Sequence, residues 1–172
     1  MKRCLMVAAA VFAVVCVVTG PVLADDRFGA RLLGREEVPS ISTIAQGFFF
    51  ATLNDAGTQL TYSLAYRDPE SAVAQAHIHI GQTSVNGGIV LFLCTNLTPP
   101  AGVPLPPACP NGPDFNFVGG TLTAANVTPV AAQGIASGEF AEVIHAMRGG
   151  FAYANVHTTT FPGGEIRGQI SH

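Results

Sequence analysis

Two stretches of the chain alternate apolar and polar side chains with the period of a β-strand, and both carry unusual polar residues on one face. In residues 75–80, QAHIHI, the two isoleucines share a face with Ala76 while His77 and His79 share the other. This His-x-His spacing sets two imidazoles about 7 Å apart along one side of a strand. In residues 151–170, FAYANVHTTTFPGGEIRGQI, the pattern predicts two strands joined by a Thr-rich turn with Pro162, Gly163 and Gly164. Ala152, Ala154 and Val156 fall on the apolar face of the first strand, and Tyr153, Asn155 and His157 fall on the other. In the second strand Ile166 and Ile170 oppose Glu165, Arg167 and Gln169. A register with His157 across from Glu165 puts Asn155 opposite Arg167 and Tyr153 opposite Gln169. Two such polar faces in one small domain are expected to meet.

Elsewhere the pattern also predicts mostly strands. Residues 31–38 lead in, ended by Pro39. Residues 46–53 turn through Asn54-Asp55-Ala56-Gly57 into 58–66, a hairpin signal. After the His-x-His strand, Asn86-Gly87-Gly88 turns into residues 89–94, and a further strand covers 118–123. Residues 139–148 break the β period. Phe140, Val143, Ile144 and Met147 recur at helical spacing before Gly149-Gly150, so a short helix is expected there. His145 lies about 140° from Phe140 around that helix, off the apolar stripe, and is expected at the surface. Seven or eight short strands with one helix predict an all-β fold, an antiparallel β-sandwich or Greek-key barrel.

Composition changes this picture mainly at the start of the chain. Lys2 and Arg3 precede an apolar run over residues 5–18, and Val22-Leu23-Ala24 then supplies small residues at the third-last and last positions. That is the pattern of a secretory signal peptide covering residues 1–24, cut after Ala24, with residues 25–172 as a single domain. No later stretch is long and apolar enough to span a membrane. The protein is therefore expected to be secreted or periplasmic. Of the eight basic residues, Lys2 and Arg3 leave with the leader, so six arginines face eleven acidic residues, a net charge of −5. This balance argues against nucleic acid and anionic membrane surfaces as partners, because both need basic patches. About 145 residues suffice for one core.

Two cysteines survive cleavage, Cys94 and Cys109, and in an oxidising compartment they are expected to form one disulfide. It closes a segment holding Pro99, Pro100, Pro104, Pro106 and Pro107, for a stabilisation of about 3 kcal/mol on the chain-entropy reading. Asn96-Leu97-Thr98 and Asn126-Val127-Thr128 are glycosylation sequons, meaningful only in a host with that machinery.

Several ordered motifs together resemble the CHRD domain, the module named after chordin and also found singly in exported bacterial proteins. They are Glu36-Glu37-Val38-Pro39, Ala76-His77-Ile78-His79-Ile80-Gly81, Asn86-Gly87-Gly88, Tyr153-Ala154-Asn155-Val156-His157-Thr158 and Pro162-Gly163-Gly164-Glu165-Ile166-Arg167-Gly168. The resemblance covers about residues 28–170. It implies a secreted β-sandwich-like domain, in chordin part of an extracellular growth-factor antagonist, and no established enzymatic activity. The function expected is that of an exported binding or interaction module for an extracytoplasmic protein or small ligand, and not an enzyme.

The polar residues admit a sharper alternative. His77, His79 and His157 supply three nitrogen ligands, and Glu165 an oxygen ligand, for copper or zinc. A strand-borne His-x-His also looks like the copper-ligand strand of Cu,Zn superoxide dismutases, although the remaining ligands of that enzyme have no matching motif here. Against it stands a purely structural polar network, in which the imidazoles bond to Asn155, Glu165, Arg167 and backbone and fix strand register. One of Glu36 and Glu37 is expected to turn inward toward Arg31, Arg35 or Arg167, with Glu37 placed in the network. Arg167, beside Ile166 and Ile170, is expected to be partly buried against a carboxylate. Superoxide-dismutase-like or hydrolytic catalysis is the third class; serine-nucleophile and phosphate-loop motifs are absent.

Overall fold

The computed structural model describes residues 26–99, 101–112 and 114–172, so the expected leader at 1–24 lies outside the described residues. Eight strands follow in order: β1 Arg27–Leu33, β2 Gln46–Leu53, β3 Leu60–Arg67, β4 Val73–Ile80, β5 Ile89–Thr95, β6 Asn116–Leu122, β7 Ala152–Thr158 and β8 Ile166–Gln169. Helix α1, Phe140–Arg148, sits between β6 and β7. The expected all-β antiparallel architecture with one helix is what the chain adopts.

The strands form one antiparallel sheet in the order β5-β4-β7-β8-β1-β2-β3-β6. Consecutive strands β1, β2 and β3 make a meander, after which the chain crosses to β4 at the far side. The sheet curls until its edge strands β5 and β6 approach one another, giving a nearly closed barrel. Tyr62 of β3, next to the edge strand β6, donates its hydroxyl to the carbonyl of Leu93 in the other edge strand, β5. Inside are Leu32, Phe49, Leu64, Ile78, Leu93 and Ile166, all at most 2 % exposed. The helix buries the stripe of Phe140, Val143, Ile144 and Met147 on this core, while His145 is exposed as the periodicity requires.

Cys94 and Cys109 are bonded, with Cα atoms 5.0 Å apart. Asn96 fastens the closed segment further, its amide donating to the carbonyls of Val73 and Cys109 and accepting from the Cys109 N–H.

One boundary differs from the sequence pattern in a way that shapes the site. The first strand begins at Arg27 and ends at Leu33, short of Val38. A tight turn at Gly34–Glu36 intervenes, its Gly34 carbonyl accepting from the N–H groups of both Glu37 and Ile41. A side chain at Gly34 would meet the Ile41 carbonyl at 2.5 Å, so only glycine allows so close a return. The turn swings Glu37 out of the sheet and over the outer face of β7 and β8.

Candidate metal centre

The registers of β4, β7 and β8 lay the polar residues out in rows. His77 stands across from Asn155, which stands across from Arg167; His79 stands across from Tyr153, which stands across from Gln169. The expected pairings of Asn155 with Arg167 and Tyr153 with Gln169 are therefore those observed. Because side chains alternate, the partners of the same strands on the other face, Ile78, Ala154 and Ile166, point into the barrel. The polar rows lie on its outside.

An outer face should be wet, yet every residue of β7 is buried. Three connections roof it. The segment between β4 and β5 supplies the carbonyl of Gly87 to His79 Nδ1 at 3.0 Å and its N–H to the Tyr153 hydroxyl. The turn between β7 and β8 supplies the carbonyl of Pro162 to His157 Nδ1 at 3.0 Å. The segment after β1 brings Glu37, whose carboxyl accepts from the Asn155 amide.

Beneath this roof one nitrogen of each of His77, His79 and His157 lies within 4.8 Å of the others. The rings are in mutual contact, with centroids 4.8 Å apart for His77 and His157 and 5.4 Å for His77 and His79. A carbonyl can only accept, so His79 and His157 must each carry their proton on Nδ1. That leaves both Nε2 atoms as bare lone pairs, and neither has a hydrogen-bond partner. Neither nitrogen of His77 has one. Phe92 of β5 meets the His77 ring edge-on at 4.4 Å and also lines a cavity of about 670 Å³ with Ile89, Val103 and Pro129.

Burial holds all three imidazoles neutral. It pulls His77 down to about 2, helped by its two histidine neighbours, and His79 down to about 4 against the bond to Gly87; His157 is lowered by the same cause. Neutral rings with free Nε2 lone pairs are the form in which histidine binds a metal.

The other expected site residues divide. Glu37 is the inward-turning glutamate and Glu36 the exposed one. Burial pushes the Glu37 carboxyl up to about 7, although Asn155 and the Arg167 charge pull the other way. Glu165 is buried but not part of the histidine group: its Oε1 accepts from the Thr43 hydroxyl at 2.7 Å and from the Glu70 N–H at 2.9 Å. Arg167 corrects an expectation. It is 2 % exposed, but its guanidinium donates to the carbonyls of Gln82 and Val85 and to the Asn86 side chain, and no ion pair among the described residues includes it. The cation instead sits 3.4 Å over the Tyr153 ring, which itself stacks on His79 at 4.7 Å. Carbonyl oxygens and an aromatic face have taken the place of a carboxylate.

Sequence reasoning missed Thr43, Glu70 and Gln82 because each acts through backbone or at long separation, and it showed Pro162 only as part of a turn. Gly87 was visible only as a turn residue. A side chain there would fall 1.6 Å from the Ile80 carbonyl, so glycine is what lets the Gly87 carbonyl reach His79.

The rows of histidine, asparagine and arginine, together with the turns that roof them, extend over most of the described chain, and the match to known families has the same extent. The CHRD domain family matches residues 28–170. The chain belongs to the CHRD family. No curated protein and no solved structure matches it. The CHRD domain suggests an extracellular-type binding or interaction module, and the disulfide fits such a setting. No helix among the described residues is long and apolar enough to cross a membrane.

Proposed function

We propose that this CHRD protein is an exported binding module whose ligand is a transition-metal ion, copper or zinc, held by His77, His79 and His157. One observation carries the reading. Three buried imidazoles converge with their free nitrogens unpartnered, and in two of them the second nitrogen is fixed by a backbone carbonyl. Buried polar atoms without partners are rare and each calls for an occupant. A ring whose far N–H is tied to a carbonyl is the usual arrangement of a metal-binding histidine, since that bond sets the tautomer and aims the lone pair. The rings are 0–6 % exposed, so a substrate has no open approach to a bound ion, which favours binding over catalysis.

Titration calorimetry on tag-free protein at pH 7.5 tests this. One equivalent of metal should bind. The double change His77→Ala, His79→Ala should abolish binding while His145→Ala, on the exposed side of α1, leaves it intact. His172, which bonds Asp26 at the chain end, is removed in a control. No saturable binding tighter than about 10 μM, roughly 7 kcal/mol, would mean that buried water satisfies the three rings instead.

A further inference from the structure

We infer that the ion this centre is built for is monovalent copper, Cu(I), in preference to Zn²⁺ and Cu²⁺; the inference rests on reading the three histidines as a metal site. Imidazole alone does not choose, since it suits copper and zinc alike. Charge and coordination number do.

The donor set carries no charge. His77, His79 and His157 are the members of the cluster, and no carboxylate belongs to it. Of the two buried carboxyls, Glu37 accepts from Asn155, and Glu165 accepts through Oε1 from Thr43 and the Glu70 backbone; Glu165 Oε2 is buried without a partner but lies outside the cluster. The group that stands closest in the opposite sense is a cation: Arg167 lies on the Tyr153 ring, and that ring lies on His79. The Born cost of burying an ion rises as the square of its charge, so a dication in this space carries about four times the penalty of a monocation. Repulsion from Arg167 doubles as well, because the Coulomb energy is linear in each charge.

Coordination points the same way. Three-histidine zinc sites keep a fourth position for water or substrate, and Cu²⁺ favours four N or O donors in a tetragonal array. Around this cluster the flanking groups are the Phe92 edge against His77 and the Tyr153 face against His79. Neither can ligate. Cu(I), a closed-shell ion content with three donors, needs nothing more.

The test presents each ion to tag-free protein through a buffer of known affinity. Cu(I) is supplied anaerobically with ascorbate and bicinchoninate, and Zn²⁺ with a chromophoric chelator. Cu(I) should bind one to one and at least a hundredfold more tightly than Zn²⁺. A hundredfold preference over Cu²⁺ should raise the Cu(II)/Cu(I) potential of the bound ion by about 120 mV relative to the free couple, at 59 mV per tenfold for one electron. X-ray absorption on the Cu(I) form should report three nitrogen donors. Zn²⁺ or Cu²⁺ binding as tightly as Cu(I), or a four-coordinate Cu(I) centre, would overturn the preference and leave the metal site standing. Binding of no ion at all would overturn both.

Discussion

Acidification should destabilise the metal-free protein steeply, beginning near pH 6.5. His77 is held down to about 2, His79 to about 4, and His157 is lowered too, all by burial. In the unfolded chain each titrates near 6.5. Below that value the unfolded state takes up protons that the folded state refuses, so stability is complete above pH 6.5 and falls as pH falls. Each proton that the unfolded chain holds and the folded one does not is worth about 1.4 kcal/mol per pH unit. Glu37 works in the other direction. Its carboxyl is raised to about 7 from an unfolded value of 4.5, so between those limits the folded state holds one proton more, and stability falls as pH rises through the interval. Between pH 6.5 and 4.5, His77 and His79 outweigh Glu37 by one proton, and His157 adds up to one more. The net loss is then about 1.4–2.7 kcal/mol per pH unit, or about 3–5 kcal/mol across the window. That is a large share of the 5–15 kcal/mol typical of a domain. Urea unfolding followed by far-ultraviolet circular dichroism, in chelator, at half-unit steps from pH 7.5 to 4.5 would measure it. A flat midpoint down to pH 5 would show that the three rings are solvated and charged, and the buried centre described above would be wrong.

Intact mass after alkylation should show no free thiols until reductant is added, and reduction should lower stability by about 3 kcal/mol; two alkylated cysteines in the native protein would contradict the bridge. Arg167→Met should cost about 3 kcal/mol or more, because the carbonyls of Gln82 and Val85 lose a donor inside the protein, whereas Arg35→Met should shift the urea midpoint little; equal effects would place Arg167 at the surface. Gly87→Ala should destabilise by several times the usual surface value of about 0.5 kcal/mol, since its methyl group meets the Ile80 carbonyl, and an unchanged midpoint would refute that close approach. In chelator, His77→Leu should be neutral or stabilising; a loss of more than about 2 kcal/mol would instead favour a purely structural role for the ring.

What the sequence made legible was the face and the register. Strict alternation in residues 75–80 and 151–170 places the three histidines together, and the pairing of Asn155 with Arg167 follows from counting along a hairpin. Period-2 patterns carry that information because a slip of one residue would turn every side chain over. The roof was not legible. Nothing local says that a turn at Gly34 returns Glu37 to this face, or that Pro162 and Gly87 offer carbonyls to histidine rings. These are backbone contacts set by tertiary packing, and backbone has no signature in a sequence. Arg167 was misjudged for the same reason. Its type and neighbours announced a buried cation, and a carboxylate was the obvious partner, but the chain meets the charge with carbonyl oxygens.

The division of β4 and β7 into two buried faces explains why these features coexist. The inner face is ordinary core, and its stability comes from apolar burial such as Ile78 and Ala154. The outer face adds little of that. Its histidines each forgo hydrogen bonds that water would make, at about 1–3 kcal/mol for an unpartnered buried group. A fold under selection for stability alone would replace His77, which is wholly buried and makes no hydrogen bond, with a hydrocarbon of the same volume. A polar network kept for register would satisfy its members, as Asn155 and Glu37 do satisfy each other. The three rings match neither description: the roof secures one nitrogen each of His79 and His157, and their Nε2 atoms converge unpartnered with the His77 ring. An ion that binds only the folded state would repay that cost through mass action, adding about 2.7 kcal/mol at a hundredfold excess over its dissociation constant. The unpartnered nitrogens are thus a defect of the empty fold and an asset of the loaded one, which is the reason to look for the function there.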